Sequence, residues 1–179
     1  YQDLREFIDL SHRDGSIKNE VISKPEKYIT KDPHLGKSLL HLLEGGKCLF
    51  LMTNSLHDFT SQVMSYILDS QAGDIKHWKD YWDIIVVGSG KPDFFLSGQK
   101  FFDVVDNGKY LKPNEGSLLP DKIYHGGNAR LFEKLTGYRG DEILYVGDHI
   151  YGDIMRSNEL VNWRTMVLVP ELSSEILLQ

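Results

Sequence analysis

Apolar residues follow two spacings along this chain. Four short runs, Cys48–Met52, Asp83–Val87, Glu142–Val146 and Thr165–Val169, are dense in Leu, Ile, Val and aromatic residues. Such runs predict strands buried on both faces. Between them, apolar side chains recur three and four positions apart in Lys37–Leu43, Phe59–Leu68, Asn128–Leu135 and Ile154–Leu160, which predicts helices with one face on a core. Gly45-Gly46 ends the first of these and Pro170 stops the last strand, in keeping with the helix-stop role of glycine and the missing N–H of proline. Upstream, Gln2–Leu10 has Leu4, Phe7 and Ile8 at helical spacing and breaks at Asp14-Gly15-Ser16, after which a second, more polar helical segment follows. Strand and helix alternate, so the expected fold class is α/β, a parallel sheet with helices on both faces. Between Phe101 and Lys112, apolar residues flank Asp106-Asn107-Gly108-Lys109; the Asn-Gly pair suits a type I′ hairpin, expected as an insertion outside the main sheet.

The 179 residues suffice for one such domain and fall short of two ordinary ones. With 20 Lys plus Arg against 26 Asp plus Glu, no basic surplus is available to track a nucleic-acid backbone. Any phosphate must be met locally. Cys48 is the single cysteine and lies in an apolar run, so it reads as a small buried hydrophobe in a reducing compartment. No apolar run approaches the eighteen or so residues of a spanning helix, and Tyr1-Gln2-Asp3 has neither signal-peptide character nor an initiator Met.

The chemistry is concentrated where strands end. Asp148 stands at the carboxyl end of the third strand and Asp153 one short turn later, in the string Tyr145-Val146-Gly147-Asp148-His149-Ile150-Tyr151-Gly152-Asp153-Ile154. Two carboxylates on that rim suit Mg²⁺, a hard cation that shares oxygen ligands with substrate phosphate, and strand ends are where open α/β sheets bind ligands. Thr53-Asn54-Ser55 at the first strand tip offers hydroxyls and N–H groups to an anion, or equally a cap for the following helix. Lys91, between the second strand and Pro92, is a point charge that a phosphate could use.

In this order and spacing, Thr53, Lys91, Gly147-Asp148 and Asp153 resemble the second, third and fourth motifs of the haloacid dehalogenase superfamily of phosphohydrolases. The strings TNS at Thr53, KPDFF at Lys91, YVGDHIYGDI at Tyr145 and NWRTMVLVPEL at Asn162, together with Asp14–Lys18 and Pro25–Tyr28, resemble its cytosolic purine 5′-nucleotidase family over nearly the whole chain. The resemblance implies a Rossmann-like core, with residues 1–36 on the substrate (cap) side. It implies cytoplasmic hydrolysis of nucleoside 5′-monophosphates with Mg²⁺ held by Asp148 and Asp153, and a homo-oligomer whose only other partner is a small-molecule nucleotide. Thr53, Asn54, Ser55 and Lys91 would bind phosphate, with Thr53, Lys91, Asp148 and Asp153 serving catalysis; Asp153 either holds the Lys91 ammonium or completes the metal shell.

The same resemblance places Arg5, Asp9 and Lys18 around the nucleotide, with His12 able to stack on the base. An Asp accepting from N1–H and an Arg donating to O6 favour IMP and GMP over AMP. Members also pass phosphoryl groups to other nucleosides and respond to effectors; Tyr151 matches an aromatic effector position, whereas Glu159 stands where the pattern has a cation. The superfamily's first motif, Asp-x-Asp at the tip of a central strand, has no counterpart, since no Asp-x-Asp occurs in the chain. Either the nucleophile lies upstream in a longer enzyme, or the chain is a catalytically dead, nucleotide-binding relative. A small-metabolite phosphatase of the same superfamily would use the same residues. A sheet without its central strand would leave unpaired backbone and bare apolar faces, which favours the upstream nucleophile.

Overall fold

The computed structural model describes residues 15–71, 73–150, 156–172 and 176. The expected helix Gln2–Leu10 lies outside them, as do Arg5, Asp9, His12, Tyr151 and Asp153. Two short helices, α1 (Ser16–Ser23) and α2 (Pro25–Tyr28), lead to α3 (Leu35–Glu44). Then come β1 (Phe50–Met52), α4 (His57–Leu68), a 3₁₀ turn at Trp78–Tyr81, β2 (Ile84–Val87) and α5 (Asp93–Leu96). The antiparallel pair β3 (Phe101–Val105) and β4 (Tyr110–Pro113) precedes β5 (Ile123–Gly126) and α6 (Ala129–Thr136). A 3₁₀ turn at Gly140–Glu142, β6 (Leu144–Gly147), α7 (Arg156–Val161) and β7 (Arg164–Val167) follow.

The architecture is α/β with a mostly parallel, mixed sheet. Strand order is β1-β2-β5-β3-β4, and β6-β7 form a separate parallel pair. β2 lies between β1 and β5, parallel to both, with Leu51 opposite Ile85 and Val86 opposite Tyr124. Its four residues are all buried and alternate between two cores: Ile84 and Val86 join Met52, Phe94, Phe101, Tyr124, Phe132, Tyr145 and Trp163, whereas Ile85 and Val87 join Leu68, Trp78, Tyr81 and Ile123. An unbroken apolar run is therefore what a strand covered on both faces requires.

One expectation changes. The hairpin is not apart from the sheet: β3 pairs antiparallel with β5, Phe102 opposite His125, so the hairpin forms the sheet's edge. Its turn has the expected chemistry, with φ of 52° at Asn107 and 95° at Gly108 and Lys109 N–H donating to the Asp106 carbonyl at 3.2 Å. The strand through which it joins, β5, was hidden because Ile123-Tyr124-His125 is short and begins directly after the Pro120-Asp121 turn. The Asn128 side chain caps α6 by accepting from Leu131 N–H at 2.9 Å.

Each of β1 and β6 pairs on one edge only among the described residues. An apolar cavity of 560 Å³ opens between them, lined by Cys48, Leu49, Phe50, Ile143, Leu144 and Val146 among others. Phe50 and Tyr145 stack across at 6.3 Å between ring centroids. Leu144 and Val146 face outward, nearly half exposed, while Tyr145 between them is 4% exposed, the two-residue alternation of a strand with one covered face.

Candidate active site

The tips of β1, β2 and β6 carry the site. β1 delivers Thr53, whose N–H continues the ladder to Val86 O at 3.0 Å and whose carbonyl accepts from Ser89 N–H at 3.0 Å. The Ser55 N–H turns back to Thr53 Oγ1 at 3.1 Å, so this amide is held within the turn. The capping alternative for the triplet does not hold: α4 begins two residues later with Leu56 at its cap position and no side-chain cap bond.

Asn54 links the two strand tips. Its Oδ1 accepts from Ser89 Oγ at 2.9 Å and from Lys91 N–H at 2.7 Å, and its Nδ2 donates to Lys91 O at 2.9 Å. Both lone pairs of that oxygen are thereby used. The side chain clamps the 89–91 loop, and its backbone N–H has no partner among the described residues. Gly88, at φ +54°, opens this loop beneath His125; a Cβ there would stand 2.3 Å from His125 Cε1. Burial lowers the His125 pKa below its ordinary value.

Lys91 is half-buried between strands. Its ammonium donates to Met52 O at 3.3 Å, is hydrogen-bonded to the Tyr145 hydroxyl and lies 5.2 Å from the centre of the Tyr145 ring. Asp148, exposed, follows Gly147 at the tip of the same strand as Tyr145. The fold thus brings Thr53, Asn54, Ser55 and Lys91 together across β1 and β2, and β6 carries Asp148 on the strand that contacts Lys91. The Lys18 ammonium lies 5.4 Å from the centre of the Phe59 ring in the first turn of α4. Asp153, Arg5, Asp9 and His12 fall outside the described residues.

Among the described residues no three His, Cys, Asp or Glu side chains cluster as a metal site, and no helix is long and apolar enough to cross a membrane. Asp148 supplies one exposed carboxylate directly after the end of β6. A lone carboxylate is no bar to Mg²⁺, which keeps several waters and takes only one or two carboxylates plus substrate oxygens.

The reading of the sequence did not foresee two features, the Asn54 clamp and the Tyr145 hydroxyl. Tyr145 had a detectable signal: a phenol at an inward position of an otherwise aliphatic strand has a hydroxyl that needs a partner.

The model of the 5′ nucleotidase family matches residues 1–179. The chain belongs to the 5′ nucleotidase family. A 5′-nucleotidase domain-containing protein of Dictyostelium discoideum is 33% identical over 181 aligned residues. That alignment takes in all of this chain and 31% of the relative, so the chain spans about a third of the length of the curated relative it matches.

Proposed function

We propose that the protein carrying this chain hydrolyses nucleoside 5′-monophosphates to nucleoside and phosphate, with IMP and GMP preferred. The observation that carries the proposal is the convergence of Thr53, Asn54 and Lys91 at adjacent strand tips, with the Lys91 ammonium held against Tyr145 of the strand that ends at Asp148. Thr53 Oγ and the Asn54 N–H donate to phosphate oxygens. Lys91 neutralises charge that grows on those oxygens as the ester bond breaks, the role in which a fixed cation lowers a barrier most. Asp148 and Asp153 would hold Mg²⁺, which when bound supplies a positive charge on a phosphate oxygen.

The nucleophile is an aspartate from outside this chain, on a strand that occupies the cavity between β1 and β6. The edges of those strands that are unpaired among the described residues and the apolar lining of the 560 Å³ cavity support this reading: parallel strands are stable when both neighbours and both faces are covered. That aspartate attacks phosphorus as the P–O ester bond breaks, a second aspartate from outside this chain protonates the departing nucleoside oxygen, and water then hydrolyses the acyl phosphate to release phosphate.

Arg5 and Asp9 read the 6-oxopurine edge, His12 stacks on the base and Lys18 lies on the substrate side; the enzyme is cytoplasmic and homo-oligomeric. The test is phosphate release from IMP, GMP and AMP by the intact protein and its Asp9→Asn variant. Loss of about 1–3 kcal/mol of discrimination against AMP is expected, the worth of one recognition hydrogen bond. Hydrolysis of sugar phosphates in place of nucleotides would overturn the substrate assignment, and nucleotide binding without turnover would overturn the enzymatic one.

A further inference from the structure

The Tyr145 ring is buried in an aromatic cluster, 6.1 Å from Phe95 and 6.1 Å from Trp163 between centroids. A phenylalanine would fill the same volume, yet the hydroxyl emerges from the cluster at the Lys91 ammonium. Lysine carries its charge on a flexible four-carbon stem with rotatable donors. Left to its stem alone, such a charge samples several positions, and electrostatic catalysis loses strength when its dipoles and charges must reorganise during the reaction. Here the ammonium is anchored on two strands, by the Met52 carbonyl at the end of β1 and the Tyr145 hydroxyl on β6 among its contacts, while Asn54 grips the lysine backbone.

We propose that Tyr145 is a positioning residue for Lys91: its hydroxyl fixes the ammonium between the strand tips, so that the charge already stands where phosphate oxygens develop theirs. This rests on the hydrolytic reading given above. It assigns to the inward-facing residue of β6 a part in the reaction that the strand-tip motif does not require, because packing alone would accept any large apolar side chain there.

The test uses the intact protein with IMP and Mg²⁺ and two variants, Tyr145→Phe and Lys91→Met, followed by phosphate release and thermal unfolding. Tyr145→Phe is expected to lower kcat about tenfold, the lower end of what one hydrogen bond to a charged group is worth. KM should stay within about threefold and the melting temperature within about 2 °C, because the ring remains in its cluster. Lys91→Met is expected to lose at least a hundredfold. Tyr145→Phe with near wild-type kcat beside an inactive Lys91→Met overturns the positioning role alone, leaving the hydrolytic site standing. A loss of activity accompanied by a lower melting temperature overturns it in favour of a packing role. A fully active Lys91→Met overturns the site assignment and this inference together.

Discussion

Trp163 joins the strands beneath the site to the helices that cover them, and Trp163→Phe tests that packing. It is fully buried, with ring centroids 5.6 Å from Phe95, 5.7 Å from Phe132 and 6.1 Å from Phe50. Its indole N–H donates to Glu133 Oε1 at 2.9 Å, an oxygen that also accepts from Gly140 N–H at 3.0 Å. Phenylalanine keeps the six-membered ring and removes the pyrrole portion. The vacated space costs roughly 1–2 kcal/mol if the cluster relaxes in part. The lost hydrogen bond to a carboxylate adds about 1.5 kcal/mol, the low end of the range, because Glu133 keeps its second donor.

The sum is about 3 kcal/mol, a large fraction of an ordinary domain's stability. The assay is urea unfolding of the intact protein followed by near-ultraviolet circular dichroism, with Glu133→Gln as the companion variant. Glu133→Gln should cost less than Trp163→Phe, since an amide oxygen still accepts from both donors. A midpoint for Trp163→Phe corresponding to less than about 1 kcal/mol of destabilisation would refute the reasoning that this indole ties β1, β6 and α6 into one core.

Three further outcomes are expected. Gly88→Ala places a methyl group against the His125 ring at a left-handed backbone position and should cost about 2–4 kcal/mol, read as a lowered urea midpoint; an unchanged midpoint would remove the close approach. Burial lowers the His125 pKa below 6.5, so the unfolded chain binds the proton more readily and this contribution to stability falls as pH drops through about 6.5; His125→Gln should flatten that part of the pH–stability curve, and an unaltered slope would contradict it. The Cys48 thiol is pushed up to about 11 by burial and by Asp83, so alkylation by iodoacetamide at pH 7.5, followed by mass spectrometry, should be far slower than that of a free thiol; rapid labelling of the native protein would refute it.

Much of the fold was legible in the sequence because buried parallel strands announce themselves: Ile84–Val87 needs no alternation when both faces are covered. β5 was not, since four residues give too short a period to read, and its place between β2 and the hairpin depends on pairing partners far away in sequence. Lys91 was legible in the sequence because Gly88, Gly90 and Pro92 punctuate its loop, and Thr53-Asn54-Ser55 because three polar residues break an apolar run. What Asn54 does was not: its side chain reaches a residue 37 positions away, and no local pattern encodes that contact. The inward phenol of Tyr145 signals the need for a partner, but not that the partner is Lys91, 54 positions away.

The apolar cavity between β1 and β6 bears on how the chain behaves by itself. Residues 1–179 expressed alone should aggregate or bind hydrophobic dyes, since among the described residues two strand edges and an apolar lining are left uncovered. A soluble monomer with a cooperative unfolding transition and no dye binding would argue against a strand seated there.

The hydrolytic assignment is tested most directly by phosphate release from IMP by the intact protein, with and without Mg²⁺, beside Asp148→Asn. Turnover that requires Mg²⁺ and falls by at least about a hundredfold in Asp148→Asn, with folding intact, is the expected result. Absence of turnover in the wild type, or an Asp148→Asn variant within about threefold of it, would contradict the assignment.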